Sequence, residues 1–464
     1  MPSDADLDVV TQMPIARASK PLALVTLCLA VLIAQVDTSV VNLAVQPIGE
    51  DFKASVSALQ WVVDSYNLFY AALLLTGGLL ADLYGRRRVF MGGAAIFTLS
   101  SLVCALSPTI QILIGGRATA GLGAALLMPA SLAIIRVVWP ESNERNKVLG
   151  IWAATNGLAL AIGPTLGGVL IGTFGWRSIF LLVVPIGFLA IGLAPRCIAE
   201  SADPAGRHFD GGGQMFGAVA LGSIAVAAIE LHRNLPLAGF GIVGAVVALA
   251  LFINVERTKG TAALVDLTML DVRPLRGALA ATAAMTFGMY GVLFLLPLMW
   301  QSEGLLGPVG AGLALIPMAL VFVSVSPLSG ALTVRFGARI TTCGGVAVIG
   351  CGLMVLGLTA DAASVAAAEL GLSLTGLGMG LATGPLMGVA VSSVSARRSG
   401  SAAALINVAR MIGATLGVAV LGTVFAWARG GPHGLFLAMI SGGGVQISTA
   451  VFAWRTTRSV CTPR

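Results

Sequence analysis

Three ionisable residues, Asp37, Asp64 and Arg117, stand inside long apolar runs where only hydrocarbon or another helix can surround them. A charged side chain in that setting is costly unless paired, so its presence points first to function. A carboxylate there is pulled two ways: loss of water favours the neutral acid, and a neighbouring guanidinium favours the anion. A group balanced between the two can take up and release a proton near neutral pH. Arg117 stays charged throughout, so its part in such chemistry is to tune a partner's hold on a proton. A static ion pair tying helices together fits the same residues. At about 1.5 Å per residue, all three lie roughly 10–15 Å below one membrane surface, a common depth.

Arg410, with Asn407 one turn before it, is the counterpart late in the chain, and both a cavity-facing role and a snorkelling one fit it. Asn42, Trp61, Asn67, Tyr70, Tyr290 and Phe294 are further candidates for a small-molecule cavity. Their rings can stack on an apolar or cationic ligand, or serve as core and interfacial-belt residues. Glu230 and Glu369 fall near the ends of runs, where interfacial water suffices. His208, His232 and His433 are isolated, the six cysteines have no metal-ligand spacing, and no nucleophile–base pair or phosphate loop occurs. Neither an enzyme nor a metal or cofactor site is expected.

The elements that must hold these residues are membrane helices. Hydrophobic residues make up 57% of the chain and charged ones only 10%, against roughly 25% charged in a soluble domain. Apolar runs near 21–46, 57–81, 89–107, 110–135, 148–173, 178–195, 213–231, 238–255, 276–300, 309–333, 339–359, 364–393, 402–427 and 434–454 are each about long enough to span. They predict an all-α membrane protein with fourteen transmembrane helices; strands of a barrel would be shorter and alternating. Of 27 Lys and Arg residues, Arg117 and Arg410 lie inside runs and only Lys53, Arg177, Arg233 and Arg429 in the odd-numbered loops. The excess on the other side predicts a plasma-membrane protein with both termini in the cytoplasm. The polar first residues, with Asp4, Asp6 and Asp8, show no cleavable signal. The net charge of +7 is spread over short loops, where an anionic leaflet accounts for it without a nucleic-acid partner.

The chain also looks duplicated. Gly78, Leu80, Gly85 and Arg87 after the second run recur as Gly330, Leu332, Gly337 and Arg339 after the tenth. Gly121-Leu122-Gly123 followed by Pro129 recurs as Gly376-Leu377-Gly378 followed by Pro385. Counting back from these matches gives a tail at 1–20, a six-helix bundle at 21–200, an inserted helix pair with linkers at 201–260, a second, pseudo-symmetric six-helix bundle at 261–454 and a tail at 455–464. Parallel halves of this kind enclose a substrate path at their interface.

Two further patterns carry mechanics. In the loop Gly78-x-Leu80-Ala81-Asp82-x-x-Gly85-Arg86-Arg87, the glycines allow a tight reversal, and Asp82 can hold a cation or a helix N-terminus in one conformer and release it in another. In Gly163-Pro164-x-x-Gly167-Gly168, proline removes a helix donor and bends the axis, while Gly163 and Gly167 share a face that a second helix can approach closely. Ordinary packing fits the glycines, and an anchoring basic loop fits the arginines.

These residues resemble a known family. The Gly78–Arg87 loop and Arg117-x-x-x-Gly121-x-Gly123 resemble the loop and fourth-span motifs of the major facilitator superfamily. Asp37-Thr38-x-Val40-Val41-Asn42-x-Ala44, Gly163-Pro164-x-x-Gly167-Gly168 and Trp176-Arg177-x-Ile179-Phe180-Leu181 resemble its fourteen-span drug:proton antiporter branch. Leu83, Ala120 and Val183 depart from the usual basic residue, glutamine and asparagine. The resemblance implies a monomeric exporter that exchanges protons for hydrophobic or amphipathic small molecules, drugs or antibiotics among them. With their burial, Asp37, Asp64 and Arg117 are read as the proton-coupling residues, Asp37 ahead of Asp64, for which substrate binding is the alternative; the Gly163–Gly168 motif is the reason to choose export. A proton-coupled importer and a non-transporting receptor or scaffold are the alternatives.

Overall fold

Apolar runs this long fold as helices because hydrocarbon offers no partner for a free N–H or C=O. The computed structural model describes residues 20–203, 210–231, 234–259, 267–360, 365–395 and 398–457. The N-terminal tail, His208, His232, Arg233 and Cys461 lie outside them. All long elements described are helical: α1 (Lys20–Phe52), α2 (Val56–Tyr84), α3 (Arg86–Ala105), α4 (Ile110–Val138), α5 (Ser142–Phe174), α6 (Arg177–Cys197), α7 (Gly211–Glu230), α8 (Leu235–Lys259), α9 (Arg273–Ser302), α10 (Pro308–Ala314), α11 (Ile316–Val325), α12 (Leu328–Phe336), α13 (Ala338–Leu358), α14 (Val365–Ser392), α15 (Ser399–Leu416), α16 (Gly422–Trp427) and α17 (Gly431–Thr456). Among the described residues, thirteen helical stretches are long and apolar enough to cross a membrane, with Ile162–Phe174 of α5 a shorter apolar segment.

Two expected spans are not simple helices. The run at 309–333 is divided into α10, α11 and α12, with Pro317 in the first turn of α11 and Pro327 at the start of α12. Each proline lacks the N–H that would have continued the preceding turn. Between α15 and α16 the chain makes a π-helical turn, Gly417–Leu421, a local widening that leaves carbonyls without regular helical partners. The Gly163–Gly168 motif, by contrast, lies within one unbroken helix despite Pro164.

Packing follows the small residues. In the first part of the chain α4 lies on α2 and α3, and α1 lies on α5 and α6; later, α14 lies on α11 and α13, and α9 on α15 and α17. The paired glycines act alike in both places. A Cβ at Gly121 would strike the Tyr66 carbonyl of α2 and one at Gly123 the backbone of α3; one at Gly376 would strike Met318 of α11 and one at Gly378 the backbone of α13. The two turns also match, with φ of +106° at Gly85 and +86° at Gly337, a region that glycine enters without strain.

α7 and α8 pack on one another, and α7 lies along α2. Polar side chains fix that seam: Gln214 bonds to Thr76 and to the Ala72 carbonyl, while Glu230 accepts from Trp61 Nε1 at 3.2 Å and Ser57 Oγ at 3.3 Å. Glu230 thus has protein donors, where interfacial water was the expected partner.

Candidate functional site

Two of the three buried charges, Asp37 and Arg117, form an ion pair. Arg117 Nη1 donates to Asp37 Oδ2 at 2.6 Å, with both side chains nearly inaccessible. Four helices hold it: Asp37 comes from α1 and Arg117 from α4, Arg117 Nε donates to the Val62 carbonyl of α2 at 3.1 Å, and the guanidinium lies over Tyr66 of α2 and, further off, Phe180 of α6. Charge, hydrogen bonds and aromatic faces together compensate the guanidinium's lost water.

Asp64 does not join them. It is fully buried on α2, with Asn67 one turn away as its polar neighbour, and neither carboxylate oxygen makes a well-aligned hydrogen bond. Asn67 is equally buried, with both amide atoms unpartnered. Asn42 donates to the Thr38 carbonyl and leaves its own oxygen unpartnered.

From the pair an aromatic path leads across the molecule. Tyr66 stands 6.0 Å from Tyr70, centroid to centroid, and Tyr70 on α2 and Tyr290 on α9 are the electrostatic neighbours of Arg410 on α15. Arg410 is partly exposed, with Asn407 a turn away and tied to its own helix through Ala403 O. Phe294 is fully buried near this layer on α9. Trp61 is placed apart from it, held by Glu230 and lining an open groove of about 400 Å³ between α2, α7 and α8.

The Gly163–Gly168 motif is a contact between three helices. Gly163 faces Ser39 and Gly167 faces Val40, both on α1, while Gly168 faces Pro308 of α10, whose oxygen a Cβ would meet at 2.7 Å. Gly312 of α10 returns the contact against the Pro164 carbonyl. Two other bridges join the same parts of the chain: Gln60 Nε2 donates to the Val418 and Ala419 carbonyls of the π turn at 3.0 and 2.9 Å, and Gln301 Nε2 to the Leu43 carbonyl at 3.1 Å. All three lie toward the end of the molecule that carries the α1–α2 turn.

At the opposite end, Asp82 accepts from Arg86 at 2.9 Å. The N-terminus of α3 is capped from a distance: Glu200 accepts from the backbone N–H of Arg87 and Arg88, each at 3.1 Å, and Gly85 leaves room for that carboxylate. Gln60, Gln214 and Glu200 were not singled out in the sequence. The signal for the first two was an amide inside an apolar run, which is costly without a partner; Glu200 had none, being joined to α3 only by the fold.

A buried ion pair and unpartnered polar groups within helices, thirteen of which are long and apolar enough to span among the described residues, together with a bridged inter-helix seam, mark a multi-pass membrane protein of the transporter class. The profile described as Major Facilitator Superfamily matches residues 27–418, and the chain belongs to that superfamily. It is similar to the multidrug resistance protein Stp of Mycobacterium tuberculosis, 36% identical over 87% of this chain and 76% of the relative. To the methylenomycin A resistance protein of Bacillus subtilis it is 32% identical over 93% of each. An auto-inhibited POT family peptide transporter has the same fold, with TM-score 0.72 over 95% of this chain and 98% of that one at 16% identity.

Proposed function

We propose that this protein is a proton-coupled secondary exporter of hydrophobic or amphipathic small molecules, drugs or antibiotics among them, acting as a monomer in the cell membrane. The observation that carries export is the likeness, along nearly the whole chain, to relatives named for multidrug and antibiotic resistance. Fourteen spans, with α5 as the fifth, form two six-helix halves at 21–200 and 261–454 around an inserted pair at 201–260. The matched glycine contacts and matched turns support that division. The α2–α3 end and both termini face the cytoplasm, in keeping with the basic loops.

In this reading Asp64 and the Asp37–Arg117 pair handle the proton. An anion buried without a cation costs several kcal/mol, on the order of a whole hydrogen-bond network; a proton on Asp64 relieves that cost, whereas Asp37 already has Arg117. The bridges at the α1–α2 end close the outer mouth. The loop at Gly78, Asp82, Gly85, Arg86 and Arg87 latches the cytoplasmic ends of α2 and α3, and the motif at Gly163, Pro164, Gly167 and Gly168 is the surface on which the halves rock.

The test is dye accumulation in everted vesicles energised with a proton gradient. The wild-type protein should concentrate dye until an uncoupler is added, and Asp37→Asn and Asp64→Asn should insert normally and lose that gradient-driven step. Dye movement in the opposite sense would establish an importer, and undiminished transport by both variants would end the proton assignment.

A further inference from the structure

The buried charges of the two halves differ in what they leave available. Asp37 is consumed by Arg117 and closed off from solvent. Arg117 in turn is spent on Asp37, the Val62 carbonyl and the Tyr66 ring. Asp64 is fully enclosed. Arg410 is unlike all of these: it is partly exposed, its Nε is enclosed without a hydrogen-bond partner, and no carboxylate among the described residues lies within ion-pairing distance of it.

Its position is nonetheless fixed. Thr286 Oγ1 of α9 donates to the Arg410 carbonyl at 2.7 Å, and one turn on Gly413 sits directly on the α9 backbone at Ala283. The head group belongs to a helix held hard against α9, and Tyr290 of α9 and, on the packed neighbour α2, Tyr70 are the ionisable side chains near enough to act on it electrostatically. A guanidinium with an unpartnered Nε retains two parallel N–H donors, the fork that matches a carboxylate or sulfonate. Flanking phenol rings offer flat apolar faces and hydroxyl donors to whatever body carries that anion.

We propose that Arg410 is the anion-binding end of the substrate site, with Tyr70 and Tyr290 its walls, and that the cargo is a flat apolar compound bearing a carboxylate, sulfonate or similar delocalised anion. This rests on the export reading and narrows its substrate class. Bound there, the anion touches Tyr70, whose neighbour Tyr66 underlies Arg117. The two rings of Tyr70 and Tyr66 thus link the cargo charge to the Asp37–Arg117 pair.

The experiment uses two probes of one skeleton, 8-anilinonaphthalene-1-sulfonate and its uncharged counterpart N-phenyl-1-naphthylamine. They are titrated onto the full-length protein in phosphatidylcholine nanodiscs, with empty discs as the blank for partitioning. The wild type should bind the sulfonate at least about tenfold more tightly, the worth of one charge-assisted hydrogen bond. Arg410→Gln should lose that preference while its affinity for the neutral probe moves by less than about threefold, and Arg410→Lys, which keeps the charge but not the fork, should fall between. Tyr290→Ala, which removes the ring, should weaken both probes alike.

Equal sulfonate binding by wild type and Arg410→Gln overturns the proposal, as does a wild type without preference. If Arg410→Gln fails to insert, Arg410→Lys decides, and unchanged sulfonate affinity in it overturns the proposal. Abolition of sulfonate binding by added phosphatidylglycerol would make the anion a lipid headgroup, and the proposal would fall. Uptake of both probes into everted vesicles separates this claim from export. Transport of the neutral probe alone overturns the anion assignment and leaves export standing. Sulfonate binding with no gradient-driven uptake of either probe overturns export and leaves the anion site.

Discussion

The residues before the α7–α8 pair and those after it differ in what they do with charge. In the first, Asp37, Asp64, Asp82 and Arg117 are all buried; in the second, no described Asp or Glu is buried, and Arg410 stands without an ion-pair partner. The loops repeat the contrast. Asp82 holds Arg86 after the first Gly78-type turn, whereas its positional counterpart Val334 is exposed and Arg339 lies over Trp454 instead. Matching glycine contacts and turns therefore recur in both regions while the charges differ, because close packing constrains such contacts alike and a charge is retained only where it has a partner or a use.

The sharpest way to break this comparison is to strand a charge. Arg117→Gln leaves Asp37 buried without its cation and should cost about 3–5 kcal/mol, seen as a steep fall in the thermal midpoint of the detergent-solubilised protein. Arg410→Gln strands nothing and should cost less than about 1 kcal/mol. Similar losses in both would erase the distinction between the halves. Next in size is Gly168→Val. Its Cβ would press on Pro308 of the other half, an overpacking cost of about 1–3 kcal/mol, and export should slow while insertion is normal.

Gln60→Leu follows. It removes two inter-half hydrogen bonds, and amide exchange at the start of α2 and in the π turn should quicken by about tenfold. The smallest effect is expected from Glu200→Gln, which weakens the remote cap on α3 by about 1 kcal/mol; faster exchange at Arg87 and Arg88 with unchanged exchange at Arg339 would keep the two loops distinct.

Much of this was legible before any coordinates. Span positions followed from hydropathy, and the Asp37–Arg117 pair from the cost of a lone charge at depth. Where reading failed, the reason was three-dimensional. The depth shared by Asp37, Asp64 and Arg117 suggested one cluster, yet rotation of α2 turns Asp64 away from Arg117; depth is visible in a sequence, and helix azimuth about a neighbour is not. Trp61 was read as a cavity candidate from its span alone, and its hydrogen bond to Glu230 of α7 could not be read there. The π turn left no mark beyond Gly417, since a local widening depends on what presses against the helix.

Gln60 has one more consequence. Two amide bonds worth about 1 kcal/mol each bias the molecule about thirtyfold toward the form in which the α1–α2 end is shut. Nothing moves that population unless it binds the opposite form more tightly by the same factor. An idle carrier so weighted leaves its gradient intact, and in the proposed exchange cargo on one half-cycle and proton on the other must each be worth more than the bolt.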